Sequence, residues 1–240
     1  MGVNMELVRN FRLGRLIWTA FVTWYFIDFS RNFFSSLVPE QAKIPTIFFL
    51  ILVLWMAIEY YFSSPYYQTG IVLIPTFERI FFSIFFYANT IYCIADYSNL
   101  HWTQLNLLFP YLNIIGIIIF ALSVLLRYYT LFELLRLPAS KLPKSGFFNT
   151  CRHPRYLATI LQIIAIPLVF TSYLGLAIAL TIELFIIYRE MQAEEKMMTE
   201  MFKEEYLQYK NNVPFIIPKL SRLSFVKSGS VTKNKSPKKK

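Results

Sequence analysis

Residues 106–126 read NLLFPYLNIIGIIIFALSVLL, an apolar run without a charged side chain. A helix that crosses the ~30 Å hydrocarbon core of a bilayer needs about 20 such residues. The runs 44–62 and 71–95 meet the same criterion of length and apolar character. The whole chain is 56% hydrophobic and only 16% charged, which is far from the usage of soluble globular proteins. The sequence therefore predicts an all-α membrane helix bundle.

A fourth span is predicted at 16–38, although Asp28 and Arg31 interrupt it. These two residues are three positions apart, so they can pair on one helical face and point into the bundle. We expect most of the remaining charges in the predicted spans to pair as well, although Glu183 has no obvious partner. They are Glu59, Glu78, Arg79 and Glu183.

The segment 156–188 is too long for one span, and Thr171, Ser172 and Gly175 interrupt it with turn chemistry. It is predicted to form a helical hairpin in which Pro167 kinks the first helix. A cytoplasmic amphipathic helix should follow over about 190–210. Its predicted apolar stripe contains Met198, Met201, Phe202 and Tyr206. The architecture is thus about four spans plus a C-terminal hairpin and a cytoplasmic amphipathic helix.

Basic residues predict the orientation of the chain. The segment 127–155 carries six Lys or Arg residues against one acid, and three arginines precede residue 16. The opposite side has Lys43 alone, so both termini and the 127–155 segment should be cytoplasmic in a multi-pass membrane protein. No cleavable signal peptide is expected, because the basic start leads into a charged, aromatic first helix.

The chain is predicted to divide into three regions. Residues 1–126 are N-terminal transmembrane helices and 221–240 are a disordered basic tail, and the region between them, 127–220, carries the polar motifs described below. The last 14 residues, 227–240, contain six lysines and no acid. Such a tail can attract anionic lipid headgroups or simply fix the topology, and it does not imply a nucleic-acid partner. The two cysteines, Cys93 and Cys151, indicate neither a disulfide nor a metal site.

Two polar motifs flank the predicted hairpin. Arg152-His153-Pro154-Arg155-Tyr156 precedes it, and Glu194-Glu195 follows it. Proline fits the first turn of a helix, where its missing N–H costs nothing. Arg152 and His153 should therefore lie at a helix N-terminus, which attracts carboxylates.

This R-H-P-x-Y and E-E combination, with the later tyrosines Tyr206 and Tyr209, resembles the isoprenylcysteine carboxyl methyltransferase-like and phospholipid methyltransferase-like family. The resemblance covers roughly residues 127–218. It implies an integral membrane enzyme that uses S-adenosylmethionine. That cofactor carries a carboxylate, an ammonium, a sulfonium and an adenine, so its site needs a cationic end, acids and aromatic walls.

The resemblance assigns residues to two roles. The residues implied to bind the cofactor are Leu142, Gly146, Phe148, Arg152, His153, Pro154, Tyr156, Glu194 and Glu195. Catalytic positions are implied at Arg189 and Glu190. No metal is implied, because methyl transfer from a sulfonium needs mainly positioning and the exclusion of water.

The sequence also departs from the family pattern. The family's substrate-facing arginine falls at Glu190, whereas Arg189 is one step earlier and about 100° around the helix. A family histidine is Ser140 here, a family tyrosine is Phe148, and the small residue expected after the box is Ala158. The lost cation weakens the prediction of a carboxylate acceptor more than that of the cofactor.

The leading hypothesis is a membrane methyltransferase that acts on a lipid or prenylated acceptor, with carboxyl methylation of a prenylated cysteine first and phospholipid N-methylation second. One alternative is an NADPH-dependent membrane reductase of the steroid-reductase type. Another is a family member that keeps the fold for lipid binding or assembly without catalysis. The sequence predicts neither the acceptor, the organelle nor the oligomeric state.

Overall fold

The computed structural model describes residues 40–66, 77–105, 108–137 and 141–219. In these ranges the regular structure is helical, apart from one isolated bridge between Gln104 and Ser172. The α-helices are α1 Glu40–Tyr66, α2 Phe77–Ala95, α3 Tyr111–Leu135, α4 Pro154–Val169, α5 Tyr173–Ile178 and α6 Leu184–Asn212. The predicted all-α class is confirmed for this part of the chain.

Short non-α turns extend several of these helices. α2 continues into a π-helical turn, Asp96–Leu100, and a second π-helical turn, Ala179–Glu183, joins α5 to α6 without a break. A 3-10 turn, Gly146–Asn149, precedes α4. The segment from 173 to 202 is therefore one continuous helical stretch that carries a π-bulge.

α3 is the one helix in the described ranges that is both long and apolar enough to cross a membrane. Lys43–Met56 and Pro154–Val169 are apolar helical segments of shorter length. The predicted span 16–38 lies outside the described residues, and α2 begins at Phe77 after an undescribed stretch. The four-span bundle, its cytoplasmic termini and a membrane-crossing hairpin therefore stay predictions.

The boundaries of α3 differ from those of the predicted span 106–126. The helix begins at Tyr111 because Pro110 has no N–H and restricts the residue before it. It continues to Leu135, so residues 127–135, which the charge count assigns to a loop, are helical. Arg127 can lie inside this helix because its guanidinium has partners there. Its Nε donates to Glu59 Oε1 at 3.0 Å, and its Nη1 donates to the Thr159 hydroxyl at 3.3 Å.

The Glu59–Arg127 ion pair joins α1 to α3 and confirms the expected pairing for Glu59. Glu183 lies in the second π-helical turn and is buried against Asn89 of α2. The side chains of Glu78 and Arg79 lie outside the described residues.

α3 and α4 pack closely along the core. The Asn113 amide donates to the Val169 carbonyl at 2.7 Å, which satisfies an otherwise unpaired group at the end of α4. A Cβ on Gly116 would lie 2.8 Å from the Val169 nitrogen, so only glycine allows this approach. Around this contact the core collects buried aromatic side chains, among them Phe48, Phe120 and Phe170.

The turn between α4 and α5 occupies 170–172. Thr171 has a φ of 53°, and the Ser172 side chain caps α5 by accepting from the Gly175 N–H. Gly175 itself is not a turn residue, contrary to the prediction. It lies inside α5, where a Cβ would approach Cys93 Sγ to 2.3 Å. A buried network centred on Asp96 ties this turn to the end of α2 through Thr103.

α6 reverses its direction at Lys203. The backbone there has φ 45° and ψ −124°, which no helical residue adopts. Lys210 and Glu195 are 15 positions apart, about 22 Å along a straight helix, yet their charged atoms lie 2.8 Å apart. The second arm, 204–212, must therefore fold back along the first, 184–202. The predicted amphipathic helix over about 190–210 is present within α6, but the prediction did not include this reversal. Met201 of its predicted apolar stripe is 56% exposed.

Because α6 reverses at Lys203, glycine substitutions at Lys203 and at Glu204 should change the free energy of unfolding in opposite directions. Lys203→Gly should raise the free energy of unfolding by about 1 kcal/mol, because glycine tolerates a positive φ that strains lysine. Glu204→Gly, one residue later and helical, should lower it by about 1 kcal/mol. Thermal unfolding of the detergent-purified variants measures both. Equal effects of the same sign would show that residue 203 is helical.

Candidate functional site

α4 begins in the way its sequence predicts. His153 is the N-cap residue, with φ −120° and ψ 56°, and Pro154 occupies the first turn. Arg152 and His153 therefore lie at the mouth of a 16-residue helix whose dipole favours negative charge. His153 is 4% exposed, so the imidazole is inside the protein.

Glu195 connects the two sequence motifs. Its Oε1 lies 3.0 Å from Arg152 Nε and 3.3 Å from His153 Nε2, which is 42 residues earlier in the chain. Its Oε2 accepts from Lys210 Nζ at 2.8 Å. The carboxylate is 4% exposed. One buried anion therefore brings together the box before α4, the first arm of α6 and the second arm.

Two opposing effects of these surroundings determine the pKa of Glu195. Burial acts to raise it, but hydrogen bonds from His153 and Lys210 and the charge of Arg152 outweigh burial. The pKa falls from its ordinary value of 4.5 to about 2. Glu195 is therefore a permanent anion at neutral pH, which is what a binding site for a cationic group requires.

Arg152 keeps hydrogen-bonding capacity. Its Nε is within ion-pair distance of Glu195, but the N–H is not aligned for a hydrogen bond and has no other partner. Its Nη1 donates to the Lys210 carbonyl at 3.0 Å. The guanidinium also lies over the Phe215 ring, 5.4 Å from the centroid. The protein thus holds the Arg152 guanidinium in a fixed orientation, but its Nε–H makes no hydrogen bond.

A strap formed by residues 213–219 runs alongside the box. The Arg152 N–H donates to the Pro214 carbonyl at 2.9 Å, and the His153 N–H donates to the Phe215 carbonyl at 3.3 Å. The Phe215 ring packs edge-on to His153 at 4.9 Å and faces Tyr188 of α6 at 6.2 Å. Phe215 thus forms an aromatic wall next to the charged groups.

The second arm of α6 covers the 3-10 turn. Leu142 packs with Tyr206, Tyr209 and Val213 in a small buried cluster. The Tyr209 hydroxyl donates to the Phe148 carbonyl at 2.5 Å. Burial and the nearby Glu195 charge both raise the pKa of Tyr206. These side chains pack the arm against the site.

Gly146 has a local structural reason to be glycine. Its φ is 53°, and a Cβ would lie 1.6 Å from Glu133 Oε1. The same carboxylate accepts from the Phe147 N–H at 3.3 Å. Glu133 therefore fills the space beside Gly146, and the cofactor role implied for this glycine stays a prediction.

The structure brings some predicted site residues together and leaves others apart. Arg152, His153 and Glu195 are in contact, and Tyr156 packs on His153 with ring centroids 5.6 Å apart. Leu142 and Phe148 contact the second arm of α6. The remaining predicted residues lie along α6: Glu190 is buried, Glu194 is half-buried and Arg189 is exposed.

Lys210 and Phe215 belong to the site but were not predicted. Lys210 reaches Glu195 only because α6 reverses at Lys203. The sequence around Lys203 contains no glycine or proline that would predict this reversal. Phe215 directly follows the Val213-Pro214 pair at the end of α6. The one available signal for Phe215 is an aromatic residue beside a proline that ends a helix.

The residues present suit the cofactor that the resemblance implies. Arg152 offers a positive group to a carboxylate, and Glu194 and Glu195 offer negative groups to an ammonium. His153, Tyr156 and Phe215 supply aromatic surface next to them. The Arg152 guanidinium at the N-terminus of α4 is the feature that favours an external anion, because its charge and the helix dipole act together there.

Comparison with known proteins identifies methyltransferases. The family described as Phospholipid methyltransferase matches residues 111–205. A methanethiol S-methyltransferase of Pseudomonas deceptionensis is 34% identical over 86 residues, which are 33% of this chain and 32% of that protein. A protein-S-isoprenylcysteine O-methyltransferase of Saccharomyces cerevisiae is 34% identical over 77 residues, 32% of each chain. The chain thus spans about a third of the length of these relatives.

These matches confirm the resemblance to the membrane methyltransferase family. The matched range runs from the start of α3 into the second arm of α6. It includes the Arg152–Glu195 contact and ends before Lys210 and Phe215.

The low pKa of Glu195 predicts how the stability depends on pH. Because the folded pKa is below the ordinary value, Glu195 stabilises the fold above pH 4.5, and this contribution disappears as the pH falls towards about 2. The contribution is at most about 3 kcal/mol. Glu195→Gln should lose it at pH 7 and should flatten the fall in stability between pH 5 and 3, as measured by thermal unfolding.

Glu205→Gln is the control for this prediction. Glu205 makes a 2.8 Å ion pair with Lys144, but both side chains are exposed. An exposed pair contributes less than about 1 kcal/mol, so this variant should keep the wild-type pH dependence. A Glu195→Gln profile that parallels the wild type would contradict the assignment.

Proposed function

We propose that this protein is a membrane-embedded, S-adenosylmethionine-dependent methyltransferase that acts on a lipid or lipidated acceptor. The observation that carries the proposal is the contact of Arg152 and His153 with Glu195. The two halves of the family motif meet across 42 residues and are buried together. Charged side chains that meet by chance at the protein surface would stay exposed to solvent, whereas these are buried.

The residues would divide the cofactor between them by charge. The Arg152 guanidinium, at the N-terminus of α4, would hold its carboxylate, and Glu194 and Glu195 would hold its ammonium. His153, Tyr156 and Phe215 would contact its less polar parts. When bound, S-adenosylmethionine supplies an electrophilic methyl group on a sulfonium that leaves as a neutral thioether.

The protein's own contribution is positioning and the exclusion of water. Glu195 fixes the orientation of Arg152 and His153 by direct contact. The second arm of α6, anchored by Tyr209 on the Phe148 carbonyl, closes the site on one side. The strap closes it on another through backbone hydrogen bonds to Arg152 and His153. Orientation and water exclusion are the main requirements of a displacement at a methyl group.

The acceptor is proposed first as the carboxylate of a prenylated cysteine. The similarity to a protein-S-isoprenylcysteine O-methyltransferase supports it. A phospholipid amine is the second candidate, and one residue favours it. Glu190 is buried on α6 where the family has arginine, and a buried carboxylate attracts an amine and repels a second carboxylate. The methyltransferase matches and the intact motif disfavour the reductase alternative.

Ligand titration tests the proposed function. S-adenosylmethionine should bind the detergent-purified protein with micromolar affinity, and NADPH should not bind. His153→Ala and Glu194→Ala should each weaken binding at least about tenfold, because each removes a polar contact in a desolvated site. Isothermal calorimetry gives the affinities, and Glu200→Ala, an exposed acid on the same helix, is the matched control. Binding of NADPH alone would assign the chain to the reductases, and binding of neither would favour a non-catalytic role.

Acceptor preference is tested at position 190. Radiolabelled methyl transfer is measured to a farnesylated cysteine and to phosphatidylethanolamine in mixed micelles. Glu190→Arg should raise the ratio of carboxyl to amine methylation by about tenfold or more, because it replaces a repelling anion with an attracting cation. Lys196→Glu, an exposed change of the opposite sign on the same helix, should leave the ratio unchanged. A ratio that is insensitive to Glu190→Arg would remove this residue from the acceptor site.

A further inference from the structure

Lys210 occupies one side of the proposed cofactor-binding acid. Glu195 Oε1 contacts Arg152 and His153, and Glu195 Oε2 contacts the Lys210 ammonium at 2.8 Å. Both carboxylate oxygens are therefore engaged by groups of this chain, and Glu195 is 4% exposed. An external ammonium that approaches Oε2 must share that oxygen with the Lys210 ammonium or displace it, and the repulsion between two ammonium groups favours displacement.

The three partners of Glu195 differ in how firmly they are held. The side chains of Arg152 and His153 are 9% and 4% exposed, whereas that of Lys210 is 42% exposed. Arg152 and His153 are also fixed through their backbone N–H groups to the strap. Lys210 is attached to an arm that follows the strained residue Lys203. Lys210 is thus the partner that exchanges at the lowest cost.

The Lys210 side chain also matches the incoming group chemically. It ends in a primary ammonium, as the amino-acid part of S-adenosylmethionine does, with the same charge and donor geometry. We propose that the Lys210 ammonium occupies the subsite on Glu195 that receives the cofactor's α-ammonium, and that cofactor binding displaces it. This inference rests on the proposed function and concerns how the same site is regulated.

Displacement has two consequences for binding. The contact between Lys210 and Glu195 competes with the cofactor, so it lowers the apparent affinity by the fraction of molecules in which it is formed. The competition is selective, because it affects only ligands that carry an ammonium. A ligand without an amino-acid part does not need the Glu195 subsite and is indifferent to Lys210.

Calorimetric titration of the full-length protein with two ligands tests this inference. S-adenosylmethionine carries the ammonium, and methylthioadenosine keeps the adenosine and thioether but lacks the amino-acid part. Lys210→Met should tighten binding of S-adenosylmethionine about threefold to tenfold, the range expected for removing a partly exposed ion pair. Binding of methylthioadenosine should stay within about twofold of the wild type. Lys210→Arg, which keeps a cation on Glu195, should resemble the wild type for both ligands.

Lys144→Met is the matched control. Lys144 makes a 2.8 Å ion pair with Glu205 of the second arm, and its side chain is 44% exposed. It therefore resembles Lys210 in exposure and in ion-pair distance, but its partner is not Glu195. This variant should leave both affinities unchanged. If Lys210→Met cannot be purified folded, Lys210→Gln provides the same test with a neutral side chain.

The outcomes separate this inference from the proposed function. Tighter binding of S-adenosylmethionine alone in Lys210→Met supports displacement. Unchanged or weaker binding overturns it, since Lys210 would then be a bystander or a direct ligand of the cofactor. Equal tightening for both ligands also overturns it, because the arm would be a general steric cover. A wild type that binds neither ligand removes the proposed function itself.

Discussion

The contact of one buried carboxylate with three cationic or hydrogen-bonding side chains organises the described part of this protein. Glu195 is desolvated, and burial alone would raise its pKa and favour the neutral acid. Its neighbours reverse that tendency and hold the pKa near 2. The free energy spent on burying the charge is thus offset by Arg152, His153 and Lys210 together. If one partner is removed, the remaining charges stay buried without full compensation.

That contact depends on a backbone feature that none of the motifs predicts. Lys210 and the strap reach the start of α4 because α6 turns back at Lys203, whose φ of 45° is unfavourable for a residue with a side chain. The second arm then packs Tyr206 and Tyr209 against Leu142 and Phe148. Packing of this kind supplies the free energy that maintains a locally strained residue.

Part of the site was predictable because its determinants are local. Pro154 places Arg152 and His153 at the start of α4 from local sequence alone. Glu195 was separated from the other acids of α6 by the family resemblance and not by its local sequence. Lys210 and Phe215 could not be predicted, because they enter through the reversal and through backbone pairing of the strap. The predicted end of α3 was wrong for a related reason. The charge of Arg127 predicts a loop residue, but Glu59 of another helix forms an ion pair with it, and that pairing is not visible in the sequence around Arg127.

The charges of the site explain why an internal lysine and an external zwitterion can share it. Arg152 and Lys210 balance Glu194 and Glu195, so the cluster is near neutral without a ligand. A molecule that brings both an ammonium and a carboxylate can replace the Lys210 contact on Glu195 and pair with Arg152 at the same time. The released lysine, already 42% exposed, regains water instead of remaining as an unpaired buried charge. The cofactor also carries a sulfonium, so its net charge is +1, the same as that of the departing Lys210 ammonium. The exchange therefore leaves the net charge of the site unchanged, and it can take place in the folded protein without disrupting Arg152 and His153.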